Sequence, residues 1–384
     1  VQFLFRSLVA DPKAVAAVPD WASFVEVFGR DKVDAAQDRY ERLLGRWAEI
    51  HGLQRAELQQ ITDIEDWIEN AIKLVAAVDT GLPVYTIRRT PPGEPLKIAA
   101  KLNTDADFDG NVPTAFLGTI LRWDPCFSGE SGINFVWPSN GHLGASDYWN
   151  DETLMRALGR PAAVASGDPD GERGYVATTL GLRAAGASDL MAKIVFQVKY
   201  QAPARLSLPP DSDERDVRNA FYTAFEDNLL DCEARDQCFL IQECRPMLHE
   251  YRVIVVGGKP VAGAGTVEWL NPIFHDPDDG SFDPFVEGKR GDRDLVCDRD
   301  LVARYVDRAA RLCAELETRG SKRFRNCTMD FAFDEQKGDV LLIETNPCDN
   351  FGLYALDFSP VIDGMVADCR AAIPASEPLL TAEP

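Results

Sequence analysis

Asp330-Phe331-Ala332-Phe333-Asp334, a polar turn over Glu335 to Asp339, then Val340-Leu341-Leu342-Ile343-Glu344-Thr345-Asn346-Pro347: two apolar runs around a short turn predict a β-hairpin. With the turn centred on Lys337, Asp330 faces Glu344 and Ala332 faces Leu342. Strand alternation puts Phe331, Phe333, Leu341 and Ile343 on one face, a core face, and Asp330, Glu344 and Asn346 on the other. Two carboxylates opposed on a sheet, with Cβ atoms about 5 Å apart, repel and weaken the pairing unless a cation sits between them. Asn346 adds a neutral oxygen, and Pro347 halts the strand just beyond the acids. Such a set suits a hard cation like Mg²⁺, which takes a few protein oxygens and completes its shell with water and phosphate. The alternative, which the acid pair alone favours, is a solvated hairpin face whose acids keep the sheet edge soluble; the halt at Asn346-Pro347 moves the balance towards a site.

Working outward, the segment Asp298 to Arg319 predicts a helix with Leu301, Tyr305, Ala309, Leu312 and Leu316 on one side, Asp298 at its start and Gly320 at its end. Glu250 to Val256 and Phe239 to Gln242 predict strands, and Gly257-Gly258 between Val255-Val256 and Pro260-Val261 predicts a tight hairpin turn. Residues 271–296 are rich in Asp, Pro and Gly, with Lys289, Arg290 and Arg293 near the end, and predict a long loop with little apolar surface to bury, either a lid or acceptor-recognition element or an exposed, mobile loop. Further upstream the expectations are a helix over Val217 to Leu230 after a polar stretch Pro209 to Asp216, a strand over Ile194 to Tyr200, a loop at Pro169 to Arg173 and a helix over Asp151 to Leu158. Helical periodicity recurs over Val33 to Ile50 and Asp63 to Val78, and a short strand is expected at Val84 to Ile87. Prolines punctuate residues 88–150, so residues 1–150 read as a mixed N-terminal lobe.

The chain has 384 residues, long enough for two or three lobes. Its net charge of −22 argues against a broad nucleic-acid or membrane-binding surface. Nine scattered cysteines without a C-x-x-C pair fit a reduced cytoplasmic setting better than a disulfide framework or a zinc knuckle. The phosphate-loop and nucleophile-elbow signatures are absent, and His249-Glu250 lacks the second histidine of a zinc protease, since that position is Val253.

Asp330 with its apolar strand, Ile-Glu-Thr-Asn-Pro (343–347) and Asn-Phe-Gly-Leu (350–353) together resemble the metal-binding end of the ATP-grasp superfamily of ATP-dependent carboxylate–amine ligases. Leu240-Ile241-Gln242-Glu243 and Glu250 to Gly257 resemble the hinge strand and following strand of the same superfamily, in the same order. The resemblance covers roughly residues 190–370 and implies an α+β ATP-grasp fold, two α+β subdomains clasping ATP, over residues 151–375, with the lobe 1–150 added and a tail at 376–384. It implies that backbone groups of Glu243 and Cys244 meet the adenine edge, that Glu250 accepts from the ribose hydroxyls, and that Arg252 points at the phosphates. Lys199, or in its place Lys193, would bind phosphate. Asp330, Glu344 and Asn346 would hold one or two Mg²⁺ ions. Two family features are missing: the lysine is followed by Gln201-Ala202-Pro203 rather than a Gly/Ser-rich loop, and Thr328 stands where several ligases carry an arginine. Arg290, or else Arg325 or Arg293, is the candidate replacement cation.

The implied reaction activates a carboxylate as an acyl phosphate and lets an amine attack it, releasing ADP and phosphate, on small-molecule or peptide substrates. The competing expectation is an ATP-binding assembly factor or adaptor with the same fold and little turnover. Unlinked to that choice, Glu250 and Arg252 also admit a plainer reading as an exposed ion pair on one strand face.

Overall fold

The structure, a computed structural model, describes residues 21–51, 67–79, 148–195, 203–229, 238–267, 270–288, 294–347 and 351–372. The strand expected at Val84 to Ile87, Lys199 and Arg290 lie outside the described residues. The described chain is α+β and forms two compact units, one made of Val1–Ser146, Leu248–Ala332 and Glu344–Pro384, the other of Asp147–Met247 and Phe333–Ile343. No helix among the described residues is long and apolar enough to cross a membrane.

In the first unit, helices α1 (Trp21–Phe28), α2 (Arg30–His51) and α3 (Trp67–Asp79) come first among the described residues. Val33, Ala36, Tyr40 and Leu44 recur at three- and four-residue steps on α2 and are all buried, which is the stripe its periodicity predicts. They share one core with Ile68 and Ala71 of α3 and with strand residues Ile254, Val256, Ala262 and Ala264.

The second unit contains α4 (Glu152–Ala157), β1 (Ala162–Ser166), α5 (Tyr175–Ala184), β2 (Leu190–Ile194), β3 (Ala204–Leu206), α6 (Glu214–Leu229) and β4 (Cys238–Glu243). Asp151 caps α4 by accepting from the N–H groups of Thr153 and Leu154. The sheet runs β1-β4-β2-β3, with antiparallel pairs β1/β4, β4/β2 and β2/β3. Tyr175, Phe221, Phe225 and Phe239 fill its core, with Phe221 edge-on to Phe239 at 5.2 Å. The strand expected over Ile194 to Tyr200 lies outside the described residues beyond Val195; the described strand is Leu190–Ile194, where Leu190, Ala192 and Ile194 form the alternating buried face. One sequence expectation is corrected here. Helix α6 starts inside the polar stretch, because Asp213 accepts from the N–H groups of Arg215 and Asp216.

Back in the first unit follow β5 (Met247–Val256), β6 (Lys259–Gly265), β7 (Phe285–Glu287), β8 (Leu295–Cys297) and α7 (Arg299–Thr318). Gly257 and Gly258 both have positive φ, 60° and 77°, as a two-residue hairpin turn between Val256 and Lys259 requires. On α7 the five residues expected to face inward are all buried. Asp298 accepts from Leu301 N–H, and Gly320 at φ 75° closes the helix as Gly320 N–H and Ser321 N–H return to Glu317 O and Leu316 O.

The expected long loop is corrected as well. Ile273, Phe274 and Val286 are buried, and so are the polar residues His275 and Asp283. The Asp283 N–H donates to Gly263 O, Ser281 O accepts from Gly263 N–H, and Asp283 O accepts from the Tyr251 hydroxyl. Residues 271–288 are therefore tied to β5 and β6.

Strands β9 (Cys327–Asp334) and β10 (Asp339–Pro347) form the hairpin, and the sheet order is β10-β9-β5-β6. Helix α8 (Ser359–Ala372) ends the described chain.

Candidate active site

Strand order sets the chemistry of the hairpin. Because β9 lies between β10 and β5, side chains from three strands meet over Asp330. Tyr251 turns to one side of β5, where its ring stacks on Tyr305 at 5.3 Å; its strand neighbour Arg252 therefore points to the opposite side. There Arg252 Nε and Nη2 each donate to one oxygen of Asp330 at 2.8 Å, a bidentate fork. Both residues are buried, so Arg252 is not part of an exposed ion pair. Burial disfavours the charge on Arg252, but the adjacent Asp330 carboxylate outweighs it and the guanidinium pKa is raised.

Asn346 extends the network. Its Nδ2 donates to Asp330 Oδ2 and to Glu344 Oε1, each at 3.1 Å, so the hairpin brings together the three residues that alternation assigns to one face. Asp330 does not face solvent as the plain hairpin reading requires, for Asp330 and Ala332 are each 1% exposed on that face.

Two contributors escape sequence reading. Tyr354, at φ 50°, sets its ring 5.2 Å from the Arg252 guanidinium carbon, and burial pushes its hydroxyl up to about 12. Glu69, on the first turn of α3, accepts from Leu353 N–H at 2.8 Å, beside Gly352, whose carbonyl receives Arg252 Nη1 at 3.1 Å. Glu69 is one acid in a run of acids, and nothing in its local sequence singles it out. Glu250 is half-buried on β5, two residues before Arg252, and acts electrostatically on Tyr354 together with Asp330 and Glu69.

Among these named groups the acids Glu69, Glu250, Asp330 and Glu344 outnumber Arg252. Asp330 and Glu344 converge on a single point, the amide nitrogen of Asn346, and a turn of that amide would offer its oxygen to the same point. Surplus negative charge and a hard-oxygen donor set fit Mg²⁺.

The remaining candidates belong to the second unit. Lys193 lies on the half-buried face of β2, opposite Leu240. Glu243 pairs with Arg245 at 2.6 Å, and burial raises the Cys244 thiol pKa. The N–H groups of Glu243 and Cys244 are spent on Pro161 O and Asp189 O.

No family model matches the chain, and no curated protein matches it. Similar solved structures include the ATP-grasp ligase PsnB complexed with minimal precursor, at 14% identity and a TM-score of 0.31, covering 59% of this chain and 64% of that one. The macrocyclase MdnC bound with precursor peptide MdnA from Microcystis aeruginosa MRC is similar at 16% identity, with a TM-score of 0.33 and coverages of 59% and 62%. The D-alanine–D-alanine ligase from Coxiella burnetii is similar at 14% identity, with a TM-score of 0.36 and coverages of 58% and 56%. The match spans less than two thirds of each of these chains.

Proposed function

We propose that the chain is an ATP-dependent ligase of the ATP-grasp type, which activates a carboxylate with the γ-phosphate of ATP and joins it to an amine, releasing ADP and phosphate. The observation that carries this reading is the convergence of Arg252, Asp330, Glu344 and Asn346 on adjacent strands, in residues whose sequence resembles the metal-binding end of that superfamily.

Asp330, Glu344 and Asn346 would hold Mg²⁺, which when bound supplies charge neutralisation for the phosphates. Arg252 keeps Asp330 oriented through its two-point fork, and Tyr354 covers the guanidinium. Glu250, on the same face of β5 as Arg252, is suited to accept hydrogen bonds from ribose hydroxyls. Lys193 or Lys199 would meet phosphate, and Arg290 would supply the further cation. The chemistry requires no nucleophilic side chain, because the substrate carboxylate attacks phosphorus and the amine then attacks the acyl phosphate.

The test is a screen of amino acids, peptides and small carboxylates for stimulated ADP release, with mass analysis of the product. ADP and phosphate formed in step with a new amide support the ligase. ATP bound without turnover across the screen would instead favour an assembly factor or adaptor.

A further inference from the structure

A cavity of about 510 Å³ lies within the first unit, between α2, α3, residues 272–277 and the start of α8. Its size is in the range of small-molecule sites, roughly 300–1,000 Å³. Leu43, Ile72, Phe358 and Ile362 give it apolar walls. Arg39 and His275 also line it.

Both of these residues carry unspent hydrogen-bonding capacity. His275 is 5% exposed, yet neither ring nitrogen has a hydrogen-bond partner among the described residues; its Nδ1 is 3.6 Å from Asp283 Oδ2, beyond hydrogen-bond reach. Arg39 donates through Nε to Ile273 O at 2.7 Å, and its two Nη groups have no partner among the described residues. A buried imidazole nitrogen without a hydrogen bond, as at Nε2, costs free energy that a ligand would recover.

The acids at and beside the cavity are engaged or exposed. Asp79 pairs with Arg46 at 2.9 Å, Asp357 accepts from Ser359 N–H at 2.9 Å, and Asp363 is exposed. Asp276, whose charge acts on Arg39, is itself paired with Lys32 at 2.9 Å, and Asp283 lies 3.6 Å from His275 Nδ1 and accepts from Phe285 N–H. The groups with donors still to satisfy are thus the Arg39 Nη groups and the His275 ring, against apolar walls. One guanidinium matches a single negative charge, while these aspartates would oppose a dianion such as a phosphate monoester.

We propose that this cavity binds an apolar monocarboxylate, its carboxylate held by Arg39 and His275 and its hydrocarbon body by the α2, α3 and α8 side chains. The proposal stands apart from the ATP reading, since none of these residues belongs to the hairpin site.

Calorimetric titration of the full chain, without nucleotide, with octanoate, phenylacetate and indole-3-propionate, each beside its neutral amide, tests it. The expected result is binding of at least one carboxylate at least tenfold tighter than its amide, weakened at least tenfold by Arg39→Gln and by His275→Gln. Because Arg39→Gln also removes the bond to Ile273, Ala76→Phe serves as a second variant: it fills the cavity, leaves both polar side chains in place, and should abolish binding while unfolding like the wild type. Carboxylates and amides binding alike, no carboxylate binding at millimolar concentration, or unchanged binding by Ala76→Phe would each overturn the proposal.

Discussion

Arg252 and Asp330 are 78 residues apart in sequence and meet through two parallel 2.8 Å hydrogen bonds in a buried part of the sheet. This pairing fixes what substitutions at the site can be used for. Removing one member of a buried pair strands the other charge and typically costs about 3–5 kcal/mol, whereas replacing both by apolar groups is often close to neutral. Asp330→Asn should therefore destabilise the chain strongly in urea unfolding, and Arg252→Met with Asp330→Leu should cost less than the two single substitutions summed. Additive costs would show that the fork contributes nothing.

Glu344→Gln is the cleaner probe of turnover. Glu344 is half-buried and meets Asn346 at 3.1 Å, and glutamine keeps an oxygen for that bond while removing the charge. We expect ATP-dependent turnover to fall at least a hundredfold with an unfolding midpoint near that of the wild type. Full turnover in this variant would remove the hairpin from the active site.

Glu250→Ala should mainly raise the KM for ATP. A ribose contact is made equally before and during phosphoryl transfer, so its loss weakens binding without slowing the bound complex. A fall in kcat at unchanged KM would assign Glu250 to the chemical step.

The hairpin acids and the inward face of α7 were legible because each follows from a local period: two along a strand, 3.6 along a helix. The partner of Asp330 was not, because the neighbour relation of β9 and β5 is a property of sheet order rather than of either strand's sequence. Residues 271–288 look like a loose polar loop, yet buried Ile273, Phe274 and Val286 and the backbone bonds of Ser281 and Asp283 hold them, and the polarity of buried His275 and Asp283 conceals their burial from hydropathy. Strand β2 was not legible because Met191 and Ala192 carry little strand signal compared with β-branched and aromatic residues.

Asp283 gives a pH signature. Burial raises its carboxyl pKa above the usual 3.8, partly countered by His275 and by the Phe285 N–H. A raised folded-state value means that its contribution to stability is fully present below the unfolded pKa and is lost as pH rises through the folded value. Asp283→Asn keeps an oxygen for Phe285 N–H and cannot ionise. The Tm difference, variant minus wild type, should therefore grow as pH rises from about 3.5 toward neutrality. A difference that stays flat or shrinks over that window would contradict the assignment.

Asp298 caps α7 through Leu301 N–H at 2.9 Å, so Asp298→Ala should cost about 1 kcal/mol in urea unfolding. A loss below a few tenths would mean the cap is dispensable.

The most direct test of the proposed nucleotide site is equilibrium binding of a non-hydrolysable ATP analogue, measured by calorimetry with Mg²⁺ and with excess EDTA, for the wild type and for Glu344→Gln. The account predicts saturable binding that requires Mg²⁺ and weakens at least tenfold in the variant. Binding that is indifferent to both Mg²⁺ and the substitution would contradict it.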